Sequence, residues 1–498
     1  MMVSRINKLW LSSFAIGLAS LAWLLMRTGP KPSRAVYPCQ RMAAANASAW
    51  LGAAVVPLLL TRVAAVRDLM TTRARPVVFG ILLSAMLIFA AASPAINTTK
   101  TTTRSSAGLR EEMLGTGRIE LSPVGRTIGN PTPSDIFVVQ GTTGADEGFA
   151  RMVQMIEHDG GGFYRLAESN SESGIVGPDD VVIIKVNSQW NQRGGTNTDL
   201  LHSIVRAILD HPAGFTGEVI IADNGQAQYG SSGSGGSLNW QSNNALDPAQ
   251  SAQTVAETFA GNHRVSTYLW DTITKTEVAE FTDGDLRDGY VVADRRSPST
   301  GIIVSYPKFT TRYGTRVSFA HGIWNEDSGL YNSEQLTIIN VPVLKSHMIY
   351  GVTGAVKHYM GVVSNKLTSH NAHRKVGSGG MGTQMVETRV PDLNVVDAIW
   401  INAKPRSGPS TSYSTATETN TIAASRDAVA IDTWAALHVL LDAAGQLGHS
   451  RTNVMDPRTS SGSKFSKWLA LSAAELQQAG FAATTDLSKV NIRIEALQ

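Results

Sequence analysis

The chain reads as an α/β protein with a mostly parallel sheet flanked by helices, preceded by an α-helical membrane region. Three observations predict this. Continuous β-branched runs such as Val181-Val-Ile-Ile-Lys-Val-Asn187 have the pattern of strands buried on both faces, and a helical apolar spacing separates them. Uncharged apolar runs are confined to residues 1–96. The 498 residues also divide by charge, for residues 1–110 hold thirteen Lys and Arg against one acid, Asp68, and the remainder holds 30 against 39.

The membrane region comes first. Leu9 to Met26 is uncharged, with Trp10 and Trp23 near its ends, as interfacial aromatics are placed. The segment from Arg27 to Arg34 follows it in place of a small-residue cleavage site, which favours an uncleaved anchor over a signal peptide. A second run, Met42 to Thr61, carries Asn46 and Pro57; a third, Pro76 to Ile96, is long enough to span a hydrocarbon core of ~30 Å. Two or three transmembrane helices result. Three of them, with a cytoplasmic amino terminus, place the globular part outside, although Arg27, Lys31, Arg34 and Arg41 then fall on the outer side against the usual charge bias. The Ser-, Thr-, Asn- and Gly-rich composition beyond the Thr-rich linker at 97–130 suits an extracytoplasmic address.

An acidic globular part argues against a nucleic-acid partner, which calls for a basic face. The single cysteine, Cys39, excludes an intrachain disulfide, a cysteine-ligated iron–sulfur cluster and a multi-cysteine zinc site.

The α/β domain is assigned to residues 131–498. Val181–Asn187, a polar loop, a helix capped by Thr198 with Leu200, Leu201, Ile204, Val205 and Ile208 on one face, and the run Glu218–Asn224 form a βαβ unit. Residues 226–330, with a helix near Pro248–Phe259 and short strands near Val265 and Ile302, read as an insertion forming a pocket wall or lid. Leu336–Leu344 is the next strand; a helix starting after Thr353, a strand at Leu393–Ile401, a further one at Thr421–Ser425 and a helix from Ala428 to Leu441 follow. The tract Gly377–Gly382 lacks a preceding strand and is expected to be a flexible loop.

Function is sought where ligands bind in open α/β sheets, at the carboxyl ends of the strands. Lys185, Asn187 and Asp223 sit there. Between Glu334 and Glu387 there is no acid, yet this window holds Lys345, Lys357, Lys366, Arg374 and Lys375 with His347, His358, His370 and His373. Such a cluster suits an anionic ligand. Thr353 would cap a helix whose free amides could meet the same anion, and Lys357 would close over it. His370 and His373 could share a divalent metal, but no acid in the window completes a ligand set, so metal binding is not favoured. No nucleophile elbow, Walker loop or dinucleotide fingerprint occurs in its required context.

Lys185-Val-Asn187, Asn340-Val-Pro-Val-Leu-Lys-Ser-His347, Thr353-Gly-Ala-Val-Lys357 with Gly361, and Ala424-Ser-Arg-Asp-Ala-Val-Ala-Ile-Asp432 together resemble the family known as domain of unknown function 362, over roughly residues 178–440. The segment Lys31–Gln40 is similar to one accompanying its membrane-anchored branch. The resemblance implies a site of lysine, histidine and second lysine at Lys345, His347 and Lys357, with Lys366 and His370 downstream. It implies no reaction. Many relatives carry cysteine-rich ferredoxin-like segments, which this chain lacks, so no iron–sulfur role follows. The resulting expectation is a membrane-anchored enzyme acting on a small phosphate or carboxylate: Lys185, Asn187, Lys345, Thr353, Lys357 and Lys366 bind it, and His347 or His370 moves a proton, oriented by Asp223 or Asp397. The competing expectation is a membrane-tethered receptor or assembly subunit that binds an anionic metabolite without chemistry. Protein partners and any cofactor are left open.

Overall fold

The computed structural model describes residues 134–497, apart from 160, 167–173, 227–235, 242–244 and 460–462. The three apolar runs, the linker and Cys39 lie outside the described residues.

Strand and helix alternate through the first half: β1 (Ser134–Gln140), α1 (Gly148–Asp159), β2 (Val181–Lys185), α2 (Thr198–Leu209), β3 (Glu218–Asp223), α3 (Ala252–Phe259) and β4 (Val265–Leu269). A separate sheet follows, in which β5 (Gly289–Val292), β6 (Ser305–Thr310), β7 (Arg316–Ser318), β8 (Gly322–Asn325) and β9 (Leu330–Asn332) each pair antiparallel with their sequence neighbours. The chain then returns to the main sheet through β10 (Leu336–Asn340), β11 (Val343–His347) and β12 (Gly351–Thr353). Three short helices follow, α4 (Ala355–His358), α5 (Asn371–Lys375) and α6 (Gly380–Glu387), then β13 (Leu393–Asn402) and β14 (Thr417–Ser425). Helices α7 (Ala428–Ala435) and α8 (Asp442–Gln446), joined by a π-helical stretch at Ala436–Leu441, precede α9 (Lys464–Gln478) and β15 (Val490–Ala496).

The main sheet runs β15-β1-β14-β13-β10-β2-β3-β4, with β11 and β12 attached beside β13. Pairing is parallel at β1–β15, β13–β10, β10–β2, β2–β3, β3–β4 and β11–β13, and antiparallel at β1–β14, β13–β14 and β11–β12. The predicted mostly parallel sheet flanked by helices is therefore what forms. Both of its faces are apolar, which is why the central strands read as unbroken β-branched runs. Val181 and Ile183 enter one core, with Trp270, Phe309 and Tyr359. Val182 and Ile184 enter the other, with Leu200, Ile204 and Phe149.

Four local expectations change. The run Leu336–Leu344 is two strands, because Pro342 has no N–H for a ladder. Beyond the break β11 pairs with β13, and Lys345 and His347 stand within a strand rather than in the loop after one. Helix α2 is capped by Asn197, whose side chain accepts from the amides of Asp199 and Leu200, and not by Thr198. Finally, Gly377–Gly382 is helical, passing from a 3₁₀ turn into α6. A Cβ on Gly382 would run into the backbone of Ser472 in α9, so this glycine permits close helix packing instead of loop flexibility.

Among the described residues the helix Ala428–Gln446 is the one long and apolar enough to cross a membrane, and most of it is buried inside the domain. Its Trp434, Val439 and Leu440 belong to the main core.

Candidate functional site

The register brings Lys185, at the end of β2, opposite Asn340, at the end of β10, with Asp223 at the end of β3 beside them. Lys185 is fully buried, and its ammonium donates to Asp223 Oδ1 at 2.7 Å, to the Val186 carbonyl at 3.1 Å and to His358 Nε2 at 3.0 Å. The last bond fixes a tautomer. Asn340 uses its amide NH₂ on Ala355 O and Asn394 Oδ1, so its own Oδ1, 2.7 Å from His358 Nδ1, must accept, and His358 carries its proton on Nδ1. Asp223 Oδ2 accepts from the backbone and hydroxyl of Ser188 at 2.7 and 2.9 Å. Burial, foremost, holds the Lys185 amine below its ordinary pKa, while Asp223 raises it. Every hydrogen that an ammonium can donate is thus engaged, so Lys185 and Asp223 form a structural node rather than the ligand contact and proton-orienting acid read from the sequence. Gly361 is bound up with this node, for a Cβ there would collide with Asp223 and Lys185.

A second pair of buried lysines is arranged differently. Lys345 stands on β11 directly across from Thr353 on β12. Its ammonium donates to the Gly194 carbonyl at 2.5 Å, in the loop that follows Asn187. Lys357, on α4, is 6 % exposed; its Nζ lies 5.8 Å from the centre of the Tyr350 ring. Among the described residues that Nζ has no hydrogen-bond or ion-pair partner. Burial pushes Lys357 down to about 8; burial and then the charge of Lys357 push Lys345 down to about 7. Thr353 Oγ1, on the position across from Lys345, is buried without a partner.

His347 is buried beside these lysines. Its Nδ1 accepts from the backbone amides of Ile349 and Tyr350, both at 3.1 Å. Burial, then Lys357, His373 and Lys345, hold it far below the usual imidazole range, so the ring is neutral with its proton on Nε2. A ring whose lone pair is committed in this way serves as a hydrogen-bond donor and not as a base. His373 is half-buried, its ring 6.2 Å from that of His347, and burial lowers it to about 4.

The remaining sequence candidates are placed elsewhere. Lys366 and His370 are exposed, His370 with a left-handed backbone (φ 58°) at the start of α5. Asp397 is buried with Oδ2 accepting from Asn197 N at 2.8 Å and Oδ1 from Ile399 N at 3.2 Å; burial raises it to about 6, and Lys345 pulls it down. Neither Asp223 nor Asp397 hydrogen-bonds to a histidine, so the expected pairing of His347 or His370 with one of them is not assembled. The amides at the start of α4 are not free for an anion either. Asp432 accepts from Ala355 N at 2.5 Å and Val356 N at 3.0 Å, and Thr353 plays no capping part. Asp432 is raised to about 7 by burial, opposed by those two amides.

His358 is the functional-region residue the sequence reading passed over. His358 lay within the acid-free window without a role; its signal was adjacency to Lys357. Among the described residues no group of three His, Cys, Asp or Glu is gathered to hold a metal ion.

Residues 333–437 match the family model described as Domain of unknown function (DUF362). The matched segment runs from β10 to α7 and contains Lys345, His347, Lys357, Asp397 and Asp432, so the family resemblance is supported for the half of the site that carries the unpaired lysine. No curated protein and no solved structure matches the chain.

Proposed function

We propose that Lys345, His347 and Lys357 bind a small phosphate- or carboxylate-bearing substrate of an enzyme, with Lys345 and Lys357 supplying charge and His347 Nε2 a neutral donor. The single observation that carries this reading is Lys357, a residue 6 % exposed whose ammonium lacks an acceptor among the described residues. An uncompensated buried cation is costly, and an anion of the right size removes the cost. Thr353 Oγ1, on the position across from Lys345, is buried without a partner and offers a further contact. Lys185, Lys366 and His370 have no part in this version of the site.

Calorimetric titration with phosphate and citrate tests it. Lys357→Ala is expected to weaken binding by about 1.5–3 kcal/mol, the worth of a hydrogen bond to a charged group. Affinity equal to that of the parent protein would reject the site.

The same reading takes residues 1–96 as the anchor of a membrane-anchored branch and sets the α/β domain outside the cytoplasm, supported by the apolar runs Leu9–Met26 and Pro76–Ile96. Protease added to intact cells should cut the domain; complete protection would reverse the orientation.

A further inference from the structure

We propose that Lys357 is a nucleophile, its amine condensing with the carbonyl group of a small anionic aldehyde or ketone such as a 2-oxo acid. This rests on the anion-site reading above and goes beyond it by naming the chemical class of the ligand and a covalent step.

Three buried amines of one domain differ in their partners. The hydrogens of Lys185 are committed to Asp223, Val186 and His358, and Lys345 is fully buried with a donor bond to Gly194. Lys357 alone of these three keeps both some exposure and an amine without a partner among the described residues. Its helix is also anchored at the start. Lys357 sits on the single turn of α4, whose leading amides are pinned by Asp432, with the Tyr350 ring below its Nζ. Burial lowers its proton affinity to about 8, so a useful fraction is the free amine near neutral pH. The surroundings supply what an imine-forming site requires. Lys345 can hold the carboxylate of the ligand, and the neutral His347 Nε2–H can donate to the carbonyl oxygen as negative charge grows on it.

The step balances without any co-reactant. The Nζ lone pair forms a bond to the carbonyl carbon while the C=O π pair moves to oxygen, which takes up a proton. The nitrogen loses one proton in passing to the neutral carbinolamine. A second protonation lets the oxygen leave as water, and the nitrogen lone pair closes the C=N bond. In sum, a neutral amine, a carbonyl and one proton give a protonated imine and one water.

Full-length protein is incubated with glyoxylate and sodium cyanoborohydride at pH 7, and carboxymethylation is followed peptide by peptide by mass spectrometry. Lys357 is expected to be labelled at least about tenfold faster than exposed Lys366, because burial, by lowering the proton affinity of Lys357 to about 8, leaves part of it as the free amine near neutral pH. Citrate should slow that labelling. Citrate binding by the parent protein, with Lys357 labelled no faster than Lys366, would overturn the covalent step and leave the anion site standing. Failure both to bind citrate and to label Lys357 preferentially would overturn both.

Discussion

Lys185 and Lys357 are both buried lysines, and they have opposite surroundings. Lys185 has a carboxylate, a carbonyl and an imidazole nitrogen around its ammonium. Lys357 has an aromatic face and two other cationic or neutral-imidazole neighbours, Lys345 and His347. Burial alone therefore says little about what a lysine is for; the count of acceptors separates scaffold from site. A saturated ammonium stabilises the sheet ends it joins, whereas an unsaturated one weakens the fold until a ligand arrives.

The sharpest way to break this comparison is Lys185→Met. It strands the Asp223 carboxylate, so unfolding by denaturant should show a loss of about 3–5 kcal/mol. A loss below about 1 kcal/mol would mean that the node is not structural.

Asp432→Asn comes next. An amide cannot accept from both Ala355 and Val356 in the way two carboxylate oxygens do, so one backbone donor loses its acceptor, at about 1–3 kcal/mol. The effect should shrink as pH rises through a defined window. Since the folded pKa of Asp432, about 7, exceeds the unfolded value near 3.9, the native state holds the extra proton between them, and the parent protein loses stability as pH rises through that range. Chemical denaturation between pH 4 and 7 measures the slope.

The smallest effect has the reverse sign. Lys357→Met removes an uncompensated cation and should raise stability at pH 7 by about 1 kcal/mol in the absence of added anion. The linkage supports this. Folded pKa values of about 7 for Lys345 and about 8 for Lys357 lie below the unfolded value near 10.4, so the unfolded chain binds more protons there, and stability climbs with pH from about 7 towards 10. The variant should show a shallower climb. Destabilisation by Lys357→Met, comparable to that of Lys185→Met, would erase the distinction on which the site rests.

Legibility followed the range of the interactions. The βαβ unit was readable because Val181, Val182, Ile183 and Ile184 divide between two cores, leaving no polar alternation to confuse the pattern. Lys345, His347 and Lys357 stood out because the window around them contains no acid. Acid content along a chain says nothing of acids brought in from elsewhere, however. Asp223 and His358 reach Lys185 from 38 and 173 residues away, and Asp432 reaches Ala355 from 77. Each of these contacts reverses a reading made from local context: a ligand-binding lysine becomes a node, and open helix amides become closed ones. Pro342 was visible all along, but only the partner strands decided that it divides β10 from β11.

By itself, then, the sequence determined the class of fold, the order of the central strands and helices, and which segment concentrates cations, since all three follow from apolar periodicity and from composition over a few tens of residues. Which cation is paired was decided only by the tertiary structure. An ammonium's state depends on acceptors within about 3 Å, and those acceptors come from strands and helices whose proximity in space is set by the sheet and not by the chain.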